Sequence, residues 1–295
     1  MVTTGFINYL KFEKRYSPHT ITAYKKDLEQ FDSFLKSEYE VTKADYVSYQ
    51  MVRSWIVGLM EQDISARSVN RKLSALKSYF KYMKKEGYIR ENPMPMIQSP
   101  KTSKRLPVFV DSESMETLFS SEIFDDGFEG IRDRLILEMF YMTGIRLSEL
   151  INLKDSDIDF YQQNIKVLGK RNKERLVPIS PGLINSIKKY LEIRNKSVEV
   201  IEQNDYFYVT IKGKKLYEKL AYRIVNSYLG KVSTLKKKSP HVLRHTFATH
   251  MLNNGADLNA IKEILGHSSL AATQVYTHNT IEKLKNIYNQ AHPRA

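Results

Sequence analysis

The chain has 295 residues, enough for two domains of ordinary size, and its 42% hydrophobic and 27% charged content excludes a disordered or fibrous class. Lysine and arginine number 46 against 33 aspartate and glutamate, a net charge of +13, which favours a polyanionic partner through phosphate neutralisation and counterion release. With no cysteine there is no disulfide, no Cys-ligated zinc and no thiol nucleophile, and no apolar run approaches the roughly 18 residues of a membrane span.

The N-terminus lacks the basic-then-apolar order of a secretory signal, so a cytoplasmic location is the default expectation. Ser17-Pro18 reads as an N-cap and first-turn proline, opening a helix through Leu28, Phe31 and Leu35. Val52, Trp55, Ile56 and Leu59 form a second amphipathic face. Ser65 then caps a long helix in which Val69, Leu73, Leu76, Phe80 and Met83 recur at helical spacing. The opposite face carries Arg67, Arg71, Lys72, Lys77, Lys81, Lys84, Lys85 and Arg90 against Glu86 alone. A merely solvated face usually mixes signs; this one points to nucleic-acid contact, with Arg67, Arg71, Lys72, Lys77 and Lys81 as the candidate DNA-binding residues.

Pro93, Pro95, Pro100 and Pro107, with Lys101, Lys104 and Arg105 among them, read as an extended basic linker. The expected division is a domain over residues 1–90, a linker over 91–107 and a second domain over 108–295. After the linker, helices are predicted near Asp111–Ser121 and Gly130–Met142. A polar hairpin follows, carried by Ile158 and Phe160, then Ile165, Val167 and Leu168, then Leu176, Val177 and Ile179. Its second turn, Gly169-Lys170-Arg171-Asn172-Lys173, is loaded with cations. Further helices are predicted from about Gly182 to Lys196 and from Glu218 to Leu229, with another strand at Tyr206–Ile211.

The stretch from Ser239 to His278 holds five of the seven histidines, together with Arg244 and Tyr276. Ser239-Pro240 starts a helix whose first turn contains His241 and Arg244, where unpaired amides and the dipole favour an anion. An ordinary capped helix with a polar face is the competing reading. His241 and His245 have the i, i+4 spacing of zinc ligands, but no Glu lies between them and a guanidinium beside a divalent cation is unfavourable, so no metal is expected. Arg146 follows Gly144 at a helix start, and pairing with Glu149 is its plain structural alternative. Two arginines on one phosphate would offset the extra charge of a pentavalent transition state. Lys170, on the hairpin turn, is an ammonium able to protonate a departing oxygen. His267 follows the helix-ending Gly266 and can donate to a phosphate oxygen. Tyr276 is one of 19 tyrosines, with an ordinary phenol pKa of about 10, and gains meaning only when aligned with the arginines and histidines.

These segments together resemble the tyrosine recombinases, and within them the bacterial Xer recombinases. The resemblance is carried by TGIRLSEL, VLGKRNKERLVPIS, HVLRHTFATHML and LGHSSLAATQVYTH in order, and by SPHTITAYKKDLEQF and SARSVNRKLSALKSYFKYMKKEGYIRENP in the N-terminal part. It runs nearly end to end; the stretch from about Val198 to Lys238 matches less clearly.

The resemblance implies a mainly α, two-domain protein. A four-helix, SAM-like core-binding domain would precede an α+β catalytic domain with a small antiparallel sheet. It implies a catalytic set of Arg146, Lys170, His241, Arg244, His267 and Tyr276. Tyr276 would attack the scissile phosphate to leave a 3′-phosphotyrosine, and Arg146 and Arg244 would clamp the nonbridging oxygens with help from His267. Lys170 would protonate the 5′-oxygen, and His241 would assist proton transfer at the tyrosine. No cofactor is expected, because the bond energy stays in the phosphotyrosine. The implied partners are double-stranded DNA, a homo- or hetero-tetramer assembled on it, a second recombinase and a DNA translocase. Ile281, Leu284, Ile287 and Tyr288 share one face of a C-terminal helix that would dock into a neighbouring subunit.

The implied activity is site-specific recombination that resolves chromosome or plasmid dimers. Its rivals are a mobile-element integrase or invertase of the same chemistry, a type IB topoisomerase, and a non-catalytic DNA-binding protein. A phage-type integrase often adds an arm-binding domain, whereas here the core-binding pattern has begun by Ser17, favouring the Xer-like or simple-invertase branch.

Overall fold

The computed structural model describes residues 4–102, 108–120, 123–169, 173–198, 205–266 and 278–294, with only the backbone described for 278–283. The chain divides into two compact units, Met1–Arg105 and Leu106–Ala295.

In the N-terminal unit a short helix α1 (Thr4–Asn8) runs through a π-helical turn at Tyr9–Glu13 into three longer helices: α2 (Pro18–Tyr39), α3 (Tyr49–Glu61) and α4 (Ala66–Lys85). Serine caps each long helix: Ser17 accepts from the Thr20 amide, Ser48 from Met51 and Ser65 from Ser68. The predicted apolar stripes meet in one core, where Phe31 lies 4.9 Å from Trp55 and 6.4 Å from Phe80 between ring centres.

The polar face of α4 is less uniform than its sequence suggests. Arg67, Arg71, Lys77, Lys81, Lys84 and Lys85 are exposed and form one stripe at helical spacing. Lys72 does not belong to it. Its side chain is buried, and its Nζ donates to Asp27 Oδ1 at 3.0 Å and also to Gln30 on α2. Asp27 is itself buried and also accepts from Arg71. The adjacent position in a helix turns about 100°, which carries Lys72 from the solvent side to the α2 seam.

The proline-rich segment differs from an extended linker over its first part. Met94 and Ile97 are buried with the N-terminal core, and Asn70 Nδ2 donates to Pro100 O at 2.9 Å. Two apolar side chains in an otherwise polar stretch give it a face to bury, so residues 91–102 lie against the N-terminal unit.

In the C-terminal unit, α5 (Ser112–Ser120) starts at Asp111, whose carboxylate accepts from the Ser114 amide at 2.7 Å. The central helix α6 (Phe128–Thr143) is buried along most of its length and packs against α8 (Pro181–Ser197), α9 (Glu218–Val232) and α10 (Pro240–Asn253). Between α6 and α8 come the four-residue α7 (Leu147–Leu150) and a three-stranded antiparallel sheet in the order β1 (Ile158–Asp159), β2 (Asn164–Leu168), β3 (Glu174–Pro178). Ile165 faces Val177 and Val167 faces Arg175 across the β2–β3 ladder. The hairpin turn closes with Gly169 N donating to Lys173 O at 2.8 Å.

The strand expected at Tyr206–Ile211 is not formed. Its buried Phe207, Tyr208 and Val209 reach the core from two isolated bridges, Lys154 to Tyr206 and Val209 to Lys215, around a turn at Gly213 (φ +72°). The unit ends with α11 (Leu258–Leu265) and α12 (His278–Ala291). Leu284, Tyr288 and Ala291 of α12 are buried in the core of their own unit. Leu284 and Tyr288 of the face expected on a neighbouring subunit are therefore packed in cis, Ile287 is partly buried against the same core, and the side chain of Ile281 lies outside the described residues.

Candidate active site

The site is built on two helix ends. Helix α6 stops at Gly144, whose left-handed backbone (φ +60°) turns the chain directly into Arg146, the N-cap of α7. Helix α11 stops at Gly266, also left-handed (φ +62°), which leaves its last carbonyls without intrahelical partners. The side chain of Arg244, in the first turns of α10, is buried and bridges the two ends: Nη1 donates to Gly144 O and Nη2 to Leu265 O at 2.6 Å. Arg146 Nη2 donates to Gly266 O at 2.9 Å. The two arginines, 98 residues apart in sequence (244 − 146), thus meet at one place.

Behind them lies a buried carboxylate. Glu149 Oε2 accepts from the Arg146 amide at 2.8 Å and Oε1 from Arg146 Nη1 at 2.6 Å, the pairing named above as the structural alternative for Arg146. That bond leaves part of Arg146 facing solvent, its side chain 26% exposed. Arg175 on β3 grips the same carboxylate through Nη1 (2.9 Å) and Nη2 (2.8 Å), and its Nε donates to Ile264 O at 2.7 Å. The carbonyls of residues 264, 265 and 266 therefore each accept from a different guanidinium, at the negative end of the α11 dipole.

The charges explain the titration behaviour. Burial raises the Glu149 carboxyl, but the Arg175 hydrogen bonds and charge, then those of Arg146, outweigh it and hold it at about 2. Burial first, and then the Arg146 and Arg175 charges, push the Arg244 guanidinium down to about 9, still a cation at neutral pH. Three guanidiniums around one carboxylate leave a net positive site that an oxyanion relieves. His241 is exposed, its Nε2 3.0 Å from His245 Nε2. Partial desolvation of its ring chiefly, then the His245, Lys237 and Arg244 charges, lower its pKa and favour the neutral imidazole. Ser239 does not cap α10 by its side chain, and its buried Oγ has no hydrogen-bond partner among the described residues. Among the described residues, no group of three or more His, Asp or Glu is placed to hold a metal ion.

The structure thus brings Arg146 and Arg244 together and places His241 on the helix that carries Arg244. Lys170, His267 and Tyr276 lie outside the described residues; their sequence neighbours Gly169 and Gly266 do not. A Cβ on Gly169 would sit 3.6 Å from Glu149 Oε1 and 3.7 Å from Arg175 Nη1, so Gly169 itself lies directly over the ion pair. Sequence reasoning passed over Glu149 as a shared acceptor and missed Arg175 altogether. One signal was present: Arg175 alternates with Val177 in β3, which puts a cation at a core-facing position.

Residues 109–283 match the phage integrase family, and residues 3–87 match its N-terminal SAM-like domain. The tyrosine recombinase XerC of Oceanobacillus iheyensis is 41% identical, with 98% of this chain and 95% of that protein covered. The XerC of Staphylococcus aureus (strain MSSA476) is 39% identical over 100% of this chain and 97% of that one. This chain belongs to the phage integrase family of tyrosine recombinases. It is an enzyme of DNA strand cleavage and rejoining. Its fold resembles that of the XerH site-specific recombinase in a post-cleavage complex with a palindromic difH substrate, with a TM-score of 0.72 at 22% identity, covering 93% of this chain and 77% of that one. Among the described residues no helix is long and apolar enough to cross a membrane.

Proposed function

We propose that this enzyme recombines specific DNA sites in the manner of its Xer-type relatives, and that its biological task is the resolution of chromosome or plasmid dimers in the cytoplasm. The observation that carries the reading is the meeting of Arg146 and Arg244 at the carbonyl end of α11, one residue before His267 and ten before Tyr276 in sequence. In this reading the phenolic oxygen of Tyr276 attacks the phosphorus and its proton passes toward His241, whose neutral form is favoured. The 5′-oxygen leaves with a proton from Lys170, and a 3′-phosphotyrosine remains. Arg146 and Arg244, joined by His267, hold the nonbridging oxygens while their charge grows. Attack by the 5′-hydroxyl of a second strand reverses the step and restores the phenol, so the reaction needs no external energy source.

Arg67, Arg71, Lys77 and Lys81 are the exposed cations of α4 that would lie along backbone phosphates. Lys72 is left out of that set because it is buried against α2, whereas Arg71, which also bonds Asp27, stays exposed. A homo- or hetero-tetramer on DNA completes the proposal, with a second recombinase and a DNA translocase as candidate partners. Release of the α12 face from its cis position would supply the contact between neighbours.

The test uses a nicked suicide duplex carrying candidate core sites. The parent protein is expected to form a covalent adduct that survives denaturation, and Tyr276→Phe to bind the duplex without forming one. An adduct retained by Tyr276→Phe would refute the assignment of the nucleophile.

A further inference from the structure

We propose that Arg175 is a positioning residue for strand cleavage, acting through Glu149 to set the orientation of Arg146. The inference rests on the reading of Arg146 as a phosphate clamp.

Arg175 occupies a position where β3 faces the core, between exposed Glu174 and half-buried Leu176 and on the same face as buried Val177. Its side chain is 4% exposed, so it does not itself reach a DNA phosphate in this arrangement. Three of its nitrogens are committed: two bind the Glu149 carboxylate side by side, and Nε binds Ile264 O. That fork leaves the carboxylate no freedom to rotate, and the same two oxygens then receive Arg146, one through its side chain and one through its backbone amide. Orientation passes in one direction, from strand to carboxylate to the arginine at the solvent edge.

Stability alone does not account for a guanidinium at this place. A buried ion pair is commonly matched or exceeded in stability by well-packed apolar side chains of similar size, and β3 already has apolar neighbours at Val177 and across the ladder at Val167. The surroundings are also closed to easy adjustment. A Cβ on Gly266 would lie 3.0 Å from Arg175 Cδ, so the chain end of α11 is seated against the Arg175 stem. Losing the fork also changes the ionisation of Glu149, because Arg175 supplies the largest of the effects that hold it ionised. Without it the carboxyl moves up, and as pH falls a protonated Glu149 loses its charge and turns one of its two acceptor oxygens into a donor, so its hold on Arg146 weakens.

The test compares Arg175→Met, Arg175→Lys, Glu149→Gln, Arg146→Ala and the Arg175→Met/Glu149→Gln pair. Each is scored by single-turnover adduct formation at saturating protein on the nicked duplex, from pH 5 to 8, beside a urea unfolding curve. Arg175→Met is expected to keep its affinity for the duplex, to unfold at lower urea because buried Glu149 keeps only Arg146, and, scored per folded molecule, to cleave roughly 100-fold more slowly at saturation. Its acid limb should move to higher pH, a change that mere loss of folded protein does not produce. The paired variant should lose no more than Glu149→Gln alone, since both act on one linkage. Should Arg175→Met fail to fold, Arg175→Lys carries the test, because an ammonium keeps the charge and cannot grip both oxygens. Parent-like rates and pH profile in the folded Arg175 variant, or losses that multiply in the pair, overturn the proposal while Arg146→Ala stays inactive. An Arg146→Ala variant that cleaves like the parent removes the clamp itself, and the proposal falls with it for a separately visible reason.

Discussion

Gly144 is the hinge on which both arginines turn, and alanine there gives a quantitative test of the geometry. Its backbone is left-handed (φ +60°), a conformation that costs an L-residue about 1–2 kcal/mol. A Cβ would also lie 2.6 Å from Leu265 Cδ2 and 2.7 Å from Phe247 Cδ1, both on buried residues. Overpacking of that kind costs about 1–3 kcal/mol, so Gly144→Ala should destabilise by about 2–5 kcal/mol in all. Gly255 provides the control: its φ is +86°, but a Cβ there meets nothing within 4 Å. Gly255→Ala should therefore show the backbone cost alone, about 1–2 kcal/mol. The assay is urea unfolding followed by circular dichroism for both variants, with adduct formation measured on the folded fraction. Because Gly144 O accepts from Arg244, Gly144→Ala should also slow cleavage per folded molecule, whereas Gly255→Ala should not. Equal destabilisation by the two alanines would refute the reasoning, since the clash at Leu265 and Phe247 would then count for nothing.

Three further outcomes are expected. Asp27→Ala leaves the buried Lys72 ammonium without its counter-ion, and should destabilise the N-terminal unit by about 3–5 kcal/mol. Trp55, the single tryptophan, reports that unit by fluorescence in urea; a change below about 1 kcal/mol would contradict the ion-pair account. His292 is buried, takes the Arg294 amide on Nδ1 at 3.1 Å and places Nε2 3.2 Å from Tyr141 O, an arrangement that suits the neutral ring. Burial chiefly lowers its pKa, to about 4, so between the unfolded value near 6.5 and the folded one the unfolded chain binds more protons and stability falls as pH falls. The parent should lose up to about 3 kcal/mol over that window, and His292→Gln should show a shallower dependence; identical pH profiles would discount His292. Replacing Arg67, Lys77 and Lys81 with alanine should reduce the slope of log affinity against log salt by up to about 0.9 for each phosphate no longer neutralised, and an unchanged slope would return α4 to a solvated surface.

Local sequence was sufficient for most of the helical framework. Ser17, Ser65 and Pro240 mark helix starts whose amides need capping or carry no proton to satisfy, and the apolar spacing of α2, α3 and α4 coincides with their buried faces. The order of TGIRLSEL, VLGKRNKERLVPIS, HVLRHTFATHML and LGHSSLAATQVYTH was enough to name a chemistry through the resemblance to the tyrosine recombinases that it carries. Where sequence reasoning faltered, the deciding partner was distant. Lys72 looks like its neighbour Arg71 until Asp27, 45 residues earlier, takes it inward. Phe207, Tyr208 and Val209 read as a strand, yet among the described residues they make only isolated bridges, and the core accepts them from a turn instead.

The sequence by itself determined which residues are available for phosphate chemistry, since residue type and local helical or strand period depend on neighbours a few positions away. Only the tertiary structure decided how those residues are held. Arginines from the start of α7, from β3 and from α10 share one helix end, two of them also share one carboxylate, and guanidiniums that repel each other at that distance are kept together by acceptors contributed from elsewhere in the chain.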